Sequence, residues 1–141
     1  MAVIIERRYS EAIHPFHAIL LAGIVPWFLG AALSDWAYAS SFEIQWSNFA
    51  SWFIVGGLVF TGITLVLALV DLIRLRRVRG AALYFLILLV TWVVGFLNAL
   101  MHARDAWAIM PAAPILSVIT TVLAIGAVWV GFCTPRIGGV K

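Results

Sequence analysis

Apolar segments of transmembrane length alternate with short polar segments along this 141-residue chain. A helix rises about 1.5 Å per residue, so about 20 apolar residues cross the hydrocarbon core of a bilayer, which is about 30 Å thick. Four segments are long enough, at about residues 16–37, 49–73, 81–101 and 112–132. The pattern predicts an all-α integral membrane protein, a single domain (1–141) of four antiparallel transmembrane helices.

The composition supports the same class. Hydrophobic residues make up 65% of the chain and charged residues 11%, and the mean hydropathy is +1.10. Ordinary soluble domains are much more polar. Because four spans use most of a short chain, no separate soluble catalytic domain is expected. The lone cysteine, Cys133, excludes an internal disulfide.

The basic residues predict the orientation of the spans. If the spans alternate in direction, eight of the nine Lys and Arg side chains fall on one side of the membrane and Arg104 falls on the other. Cations that flank spans stay on the cytoplasmic side of a membrane. We therefore expect a multi-pass protein of the bacterial inner membrane with both termini in the cytoplasm. The net charge of +3 therefore reflects topology, and no nucleic-acid partner is expected. The eight residues are Arg7, Arg8, Arg74, Arg76, Arg77, Arg79, Arg136 and Lys141.

Small residues predict where helices pack closely. The first span carries a small residue or proline at every fourth position, and the second and fourth spans carry glycines. Pro26 should also bend the first helix, because it lacks a backbone N–H. The row is Ala18, Ala22, Pro26, Gly30 and Ser34, and the glycines are Gly56, Gly57, Gly62, Gly126 and Gly131.

Three ionisable residues near the predicted cytoplasmic ends form a candidate cofactor-binding group: His14, His17 and Asp71. The two histidines share a helical face, which could hold a divalent cation with Asp71 but cannot place one imidazole on each side of a haem. A quinone or another ligand is a further alternative at this group. In the alternative interpretation, His14 precedes Pro15 at the helix start and His17 bonds Asp71 or lipid headgroups. No resident metal is predicted.

Near the other ends of the spans, Asp35, Asn98 and His102 form a possible outer polar pocket. The favoured alternative is a solvated connection at His102-Ala103-Arg104-Asp105, because charges near water cost little. His17 and His102 are separated by about 30 Å of helix, so they cannot hold one haem within a subunit.

Catalytic motifs are absent from the sequence, which has no phosphate-binding glycine loop, CxxC pair, HExxH motif or paired intramembrane carboxylates. An enzyme that acts alone is therefore not expected, and no catalytic residue is assigned.

A series of short motifs also follows a recognisable order. These motifs are His14-Pro15-Phe16-His17, Pro26, Asp35, the stretch from Gly57 to Asp71 before a basic loop, Asn98, Trp129, Gly131 and the tail Gly138-Gly139-Val140. In order and spacing the chain resembles the domain-of-unknown-function 2231 family of small bacterial four-helix membrane proteins. The resemblance implies a histidine early in the third helix and a glutamate after the glycines of the fourth. Here those regions read Tyr84-Phe85 and Phe132-Cys133-Thr134, which favours a structural or accessory role over redox-cofactor binding.

The favoured function is a non-catalytic accessory or anchoring subunit of a larger bacterial inner-membrane complex, in electron transfer or energy conversion. Its expected partners are membrane lipids and other membrane subunits, and no intrinsic cofactor is expected. Two alternatives stay open: an oligomeric small-molecule or ion transporter lined by Asp35, Asn98 and His102, and a redox protein that binds haem or quinone near His14 and His17.

Overall fold

Four helices form the protein in the computed structural model, which describes residues 13–74, 80–104 and 109–133. Each helix is long and apolar enough to cross a membrane, and the described residues contain no strand. The prediction of an all-α protein with four candidate spans is confirmed. The helices are α1 (Pro15–Ser41), α2 (Ile44–Arg74), α3 (Ala81–His102) and α4 (Ala112–Cys133).

The first two helices extend beyond the predicted spans, and only Phe42 and Glu43 separate them. The predicted first helix ends too early, at residue 37, and the predicted second helix begins too late, at residue 49. Hydropathy identifies only the part of a helix that lies inside the hydrocarbon core. The polar residues after Ile44 continue the helix. Phe42 ends α1 in the left-handed conformation (φ 57°), and its backbone N–H donates to the carbonyl oxygen of Tyr38 at 2.8 Å.

The helices form a ring in which α1 packs on α2 and α4, and α3 packs on the same two helices. Neighbours run antiparallel: Gly23 of α1 lies against Phe60 of α2, whereas the later Gly30 lies against the earlier Phe53. Consequently α1 and α3 lie diagonally across the ring and run in the same direction. Their starts share one end of the bundle and their ends share the other.

Most buried residues on the four helices follow a spacing of alternately three and four residues, and Leu20, Ser34 and Thr121 are buried beside this seam. This spacing of 3.5 is that of helices wound around each other in a left-handed sense. The buried seam of α1 is His17, Leu21, Ile24, Phe28, Ala31, Asp35 and Tyr38, and that of α3 is Tyr84, Leu88, Thr91, Gly95 and Asn98. The buried residues of α2 and α4 are mostly small: Ser47, Ala50, Ile54, Gly57, Thr61, Thr64 and Ala68, and Ala113, Ser117, Thr120, Thr121, Ala124, Ala127 and Gly131.

Aromatic rings fill the spaces that glycines leave between α1 and α2. The Trp27 ring lies against Gly56, where a Cβ atom would come within 2.5 Å of it, and the Phe28 ring lies against Gly57 in the same way. Phe28 has no exposed surface and also contacts Gly95 of α3. The predicted role of Gly56 and Gly57 in close packing is thus confirmed.

The predicted packing row on α1 is only partly correct. Gly30 packs against Phe53 and Ser34 is buried, but Ala22 and Pro26 are exposed. Positions four residues apart move gradually around a helix relative to buried positions that repeat every 3.5 residues. The residues in the middle of the row, Ala22 and Pro26, therefore face away from the bundle. Gly126 of α4 is a second error, since a Cβ atom there would meet nothing within 4 Å.

Candidate functional site

A network of four hydrogen-bonded polar side chains is buried where α1 and α3 end and α4 begins. We call it the Asp35 network, formed by Asp35, Asn98, His102 and Ser117. Asp35 Oδ1 lies 2.8 Å from His102 Nε2, and Ser117 donates its hydroxyl to Asp35 Oδ2 at 2.5 Å. Asn98 donates its side-chain amide to the Ser117 oxygen at 2.9 Å. The carboxylate of Asp35 is therefore held by groups from two other helices.

Burial of the network is nearly complete. Asp35 is 1% exposed, the His102 side chain 1%, and Asn98 and Ser117 have no exposed surface. Ionisable groups inside a membrane domain are costly unless paired, and they are candidates for function by default.

The hydrogen bonds fix most proton positions. Nδ1 of His102 lies 3.0 Å from the backbone oxygen of Asn98, and a carbonyl oxygen only accepts, so Nδ1 carries a hydrogen. Between Nε2 and Asp35 one proton is then shared, either as carboxylate with imidazolium or as carboxylic acid with neutral imidazole. Both arrangements have zero net charge, which suits a site with little access to water.

The order of groups excludes a serine nucleophile. Asp35 lies between Ser117 and His102, whereas a catalytic triad needs the imidazole between serine and carboxylate. Ser117 donates to a carboxylate and receives no bond from an imidazole that would take its proton. This order of groups does not activate the Ser117 hydroxyl.

One acceptor in the network is left without a partner. Asn98 Oδ1 is buried and makes no hydrogen bond in the described part of the chain. A buried amide oxygen without a donor is costly, and a small donor such as a water molecule would satisfy it.

A polar cleft borders the network at the same end of the bundle. It has a volume of about 320 Å³, and His102 is the network residue that lines it. The other lining residues are Ile44, Gln45, Ser47, Asn48, Ser51 and Arg104. His102 therefore lies between the cleft and the buried carboxylate.

These positions bear directly on the predicted outer polar pocket. The structure brings Asp35, Asn98 and His102 into one network, and the favoured interpretation of His102 as part of a solvated connection is wrong. Position along a helix gives depth in the membrane but not which way the side chain turns. Asp105, the last residue of that predicted connection, lies outside the described residues.

Sequence reasoning missed Ser117 as a partner of Asp35, because 82 residues separate them. The 3.5-residue seam would have found it. Asn98 and His102 continue the buried spacing of α3, and Ser117 follows Ala113 by four residues in the seam of α4.

A second polar group lies at the opposite end of the bundle. We call it the His17 cluster, formed by His17, Asp71 and Tyr84. His17 Nε2 lies 2.9 Å from the Tyr84 hydroxyl oxygen, and His17 Nδ1 lies 4.0 Å from Asp71 Oδ2. The structure places His17 beside Asp71, but 4.0 Å is longer than a hydrogen bond, and sequence reasoning did not identify Tyr84 as a partner. That partner comes from α3, which lies diagonally across the bundle.

The third member of the predicted cofactor group, His14, does not join the cluster. It is exposed, and its Nδ1 accepts the backbone N–H of Phe16 at 3.3 Å, which caps the start of α1. Pro15 occupies the first helical position, as predicted.

The two polar groups are far apart. His17 and Asp35 are separated by 18 residues of α1, or about 27 Å of helix. The apolar side chains Leu21, Ile24 and Phe28 fill the core between them. No haem fits between His17 and His102, and no group of three His, Cys, Asp or Glu residues suited to a metal occurs within 13–74, 80–104 and 109–133.

We predict a modest stabilising role for the His17–Tyr84 contact. Tyr84→Phe is expected to lower the free energy of unfolding by about 0.5–1.5 kcal/mol, because it removes one hydrogen bond between helices. Tryptophan fluorescence during SDS-induced unfolding in mixed micelles measures this change. Tyr38→Phe is the matched control, since the Tyr38 ring is buried but its hydroxyl makes no such contact among the described residues. Equal losses in the two variants would contradict the prediction.

Comparison with known proteins agrees with the fold. No curated protein and no solved structure shows significant similarity to the chain. One family model matches residues 13–134, which include all four helices and both polar groups, and its description is "Predicted membrane protein (DUF2231)". The expectation drawn from the order of motifs is confirmed, and the chain belongs to the DUF2231 family of predicted membrane proteins.

Proposed function

We propose that the chain is a non-catalytic accessory or anchoring subunit of a larger bacterial inner-membrane assembly, one of electron transfer or energy conversion. The observation that carries the proposal is an apolar groove on the outside of the bundle, about 600 Å³ in volume. We call it the α1–α4 groove. Its lining residues are Ala22, Val25, Pro26, Ile125, Val128, Trp129, Phe132 and Cys133.

The groove suits a helix from another subunit. Lipid tails are as apolar as leucine, so helices associate in membranes through close contact at small residues. Ala22 and Pro26 belong to a row typical of such contacts, yet both are exposed in this bundle. We infer that an apolar transmembrane helix of a partner subunit packs there.

The proposed orientation follows from charge. Both termini lie in the cytoplasm, which places the His17 cluster at the cytoplasmic face and the Asp35 network at the outer face. The groove then lies in the cytoplasmic half of the membrane, since Ala22 is near the start of α1 and Phe132 near the end of α4.

The two alternative functions have less support. The oligomeric transporter would need a path between copies of this chain, because within one bundle Gly57 and Gly95 already contact the Phe28 ring. A haem or quinone at His17 would have to displace the Tyr84 hydroxyl that holds the imidazole.

Site-specific cross-linking tests the partner helix. Cys133 is exposed and lies in the groove, so it can carry a maleimide photo-cross-linker in native membranes. We expect one membrane subunit to be captured, the same one that co-purifies with the tagged chain. The control moves the thiol to an exposed position of α2 that does not line the groove, by Cys133→Ala with Val59→Cys. Capture of a second copy of this chain, or equal capture from both positions, would contradict the proposal.

Filling the groove should weaken the association. Ala22→Phe places a ring where the partner helix would approach, and we expect recovery of the partner to fall about tenfold or more, the effect of losing about 1.4 kcal/mol. Because Ala22 is exposed, folding of the isolated chain should be unchanged. Val59→Phe on the exposed face of α2 is the control for added bulk. An unchanged partner yield with Ala22→Phe would rule out this groove as the contact.

A further inference from the structure

We propose that the Asp35 network is a proton-binding site that exchanges its proton with water in the polar cleft, through His102. The network would work in this way in an isolated bundle as well as in an assembly, so the inference does not depend on the proposed subunit role.

The geometry gives His102 two environments. Its Nε2 faces the carboxylate of Asp35 at 2.8 Å, and the residue borders the cleft although its side chain is only 1% exposed. The other three network residues do not line the cleft. A proton that passes between the cleft and Asp35 must therefore pass His102.

The shared proton can move without leaving a charge in the interior. When it shifts from Nε2 to Asp35 Oδ1, the carboxyl becomes neutral and so does the imidazole. A neutral His102 then breaks its bond to Asp35 at low cost and turns towards the cleft. There its Nε2 lone pair takes a proton from a hydronium ion in the cleft, which leaves as water, while Asp35 keeps the first proton. The reverse sequence releases one proton to the cleft.

Neighbouring groups suit the carboxyl in both forms. The Ser117 hydroxyl bonds Asp35 Oδ2 and is itself held by the Asn98 amide, so Asp35 stays in place when His102 moves. The unpaired Asn98 Oδ1 offers an acceptor for a water molecule inside the network. Among the described residues that line the cleft, those from α2 are all uncharged, and Arg104 is the charged one. The nearby carboxylate, Glu43, is exposed in the connection between α1 and α2.

Nitrogen-15 NMR of the histidines tests the proposal in the full chain in lipid bilayers. The protein contains three histidines, and His14 is an exposed internal reference. Over about pH 4 to 9, we expect the Nε2 signal of His102 to respond to the bulk pH while Nδ1 stays protonated throughout. In Asp35→Asn, His102 should become a neutral imidazole at neutral pH, because no carboxylate remains to share the proton. A His102 signal that does not change with the bulk pH would overturn the proposal.

A second variant tests the route and leaves the buried network intact. Ser51 lines the cleft, so Ser51→Phe should fill it and slow the exchange of His102 with deuterated water about tenfold. Ser40→Phe, at the same end of the bundle but outside the cleft, should leave exchange unchanged. If the two variants exchange at the same rate, the cleft is not the route and the proposal fails. This comparison decides the matter even if Asp35→Asn does not fold.

Discussion

Asp35→Ala is expected to destabilise the bundle more than any other single substitution, by about 3–5 kcal/mol in the free energy of unfolding. The change removes the partner of the His102 imidazole and of the Ser117 hydroxyl, both of which are buried. Inside a membrane domain neither group finds water to replace the lost carboxylate. SDS-induced unfolding in mixed micelles, followed by tryptophan fluorescence, gives the measurement.

Two comparisons show whether this loss comes from the network. Glu43→Ala removes a carboxylate at the same end of the bundle, but one that is exposed, and should change stability by less than about 0.5 kcal/mol. The double variant Asp35→Ala with His102→Ala should lose less stability than the sum of the losses of the two single variants. Each single substitution leaves the other side chain of the pair buried without its partner. Additive losses would mean that the pair does not act as a unit.

Phe28→Ala is expected to cost about 2–3 kcal/mol and to give the second largest effect. The ring is fully buried and fills the layer between Gly57 and Gly95, so its removal opens a cavity. In a membrane protein the unfolded chain is also surrounded by apolar groups, so the loss comes from missing contacts rather than from exposure to water. Phe16→Ala on the same helix is the control, since Phe16 is exposed and should cost little.

The layer at Phe28 also predicts a compensating pair. A Cβ atom at Gly57 would lie 2.7 Å from the ring, so Gly57→Ala alone should cost about 1–3 kcal/mol. In the Phe28→Ala background the added methyl group enters the cavity, and the same change should be neutral or stabilising. Equal costs of Gly57→Ala in both backgrounds would show that the ring does not fill this space.

The number of helices could be predicted from the sequence because span length and hydropathy depend only on local composition. The depth of Asp35, Asn98 and His102 was equally accessible, since depth follows from position along a span. Their burial was not predicted, because burial depends on how each helix is turned about its axis. Hydrophobicity is a poor guide to that rotation here, because the outside of the bundle is as apolar as the inside. For example, Trp36 is 77% exposed and Trp129 is 72% exposed.

A better signal for rotation was present in the sequence. The buried positions repeat at 3.5 residues and combine small, polar and a few large side chains, whereas the predicted row repeated at four. Following the shorter period from Tyr84 leads to Asn98 and His102. Predicting the hydrogen bond between His17 and Tyr84 also requires the relative placement of α1 and α3, which lie diagonally across the bundle. No local sequence pattern contains that placement.

The proposed role as a subunit is tested most directly by native mass spectrometry of the tagged chain, extracted from its own membranes in a mild detergent. We expect a complex of fixed stoichiometry in which this chain is bound to other membrane subunits. A lone monomer, or a complex made only of copies of this chain, would contradict it.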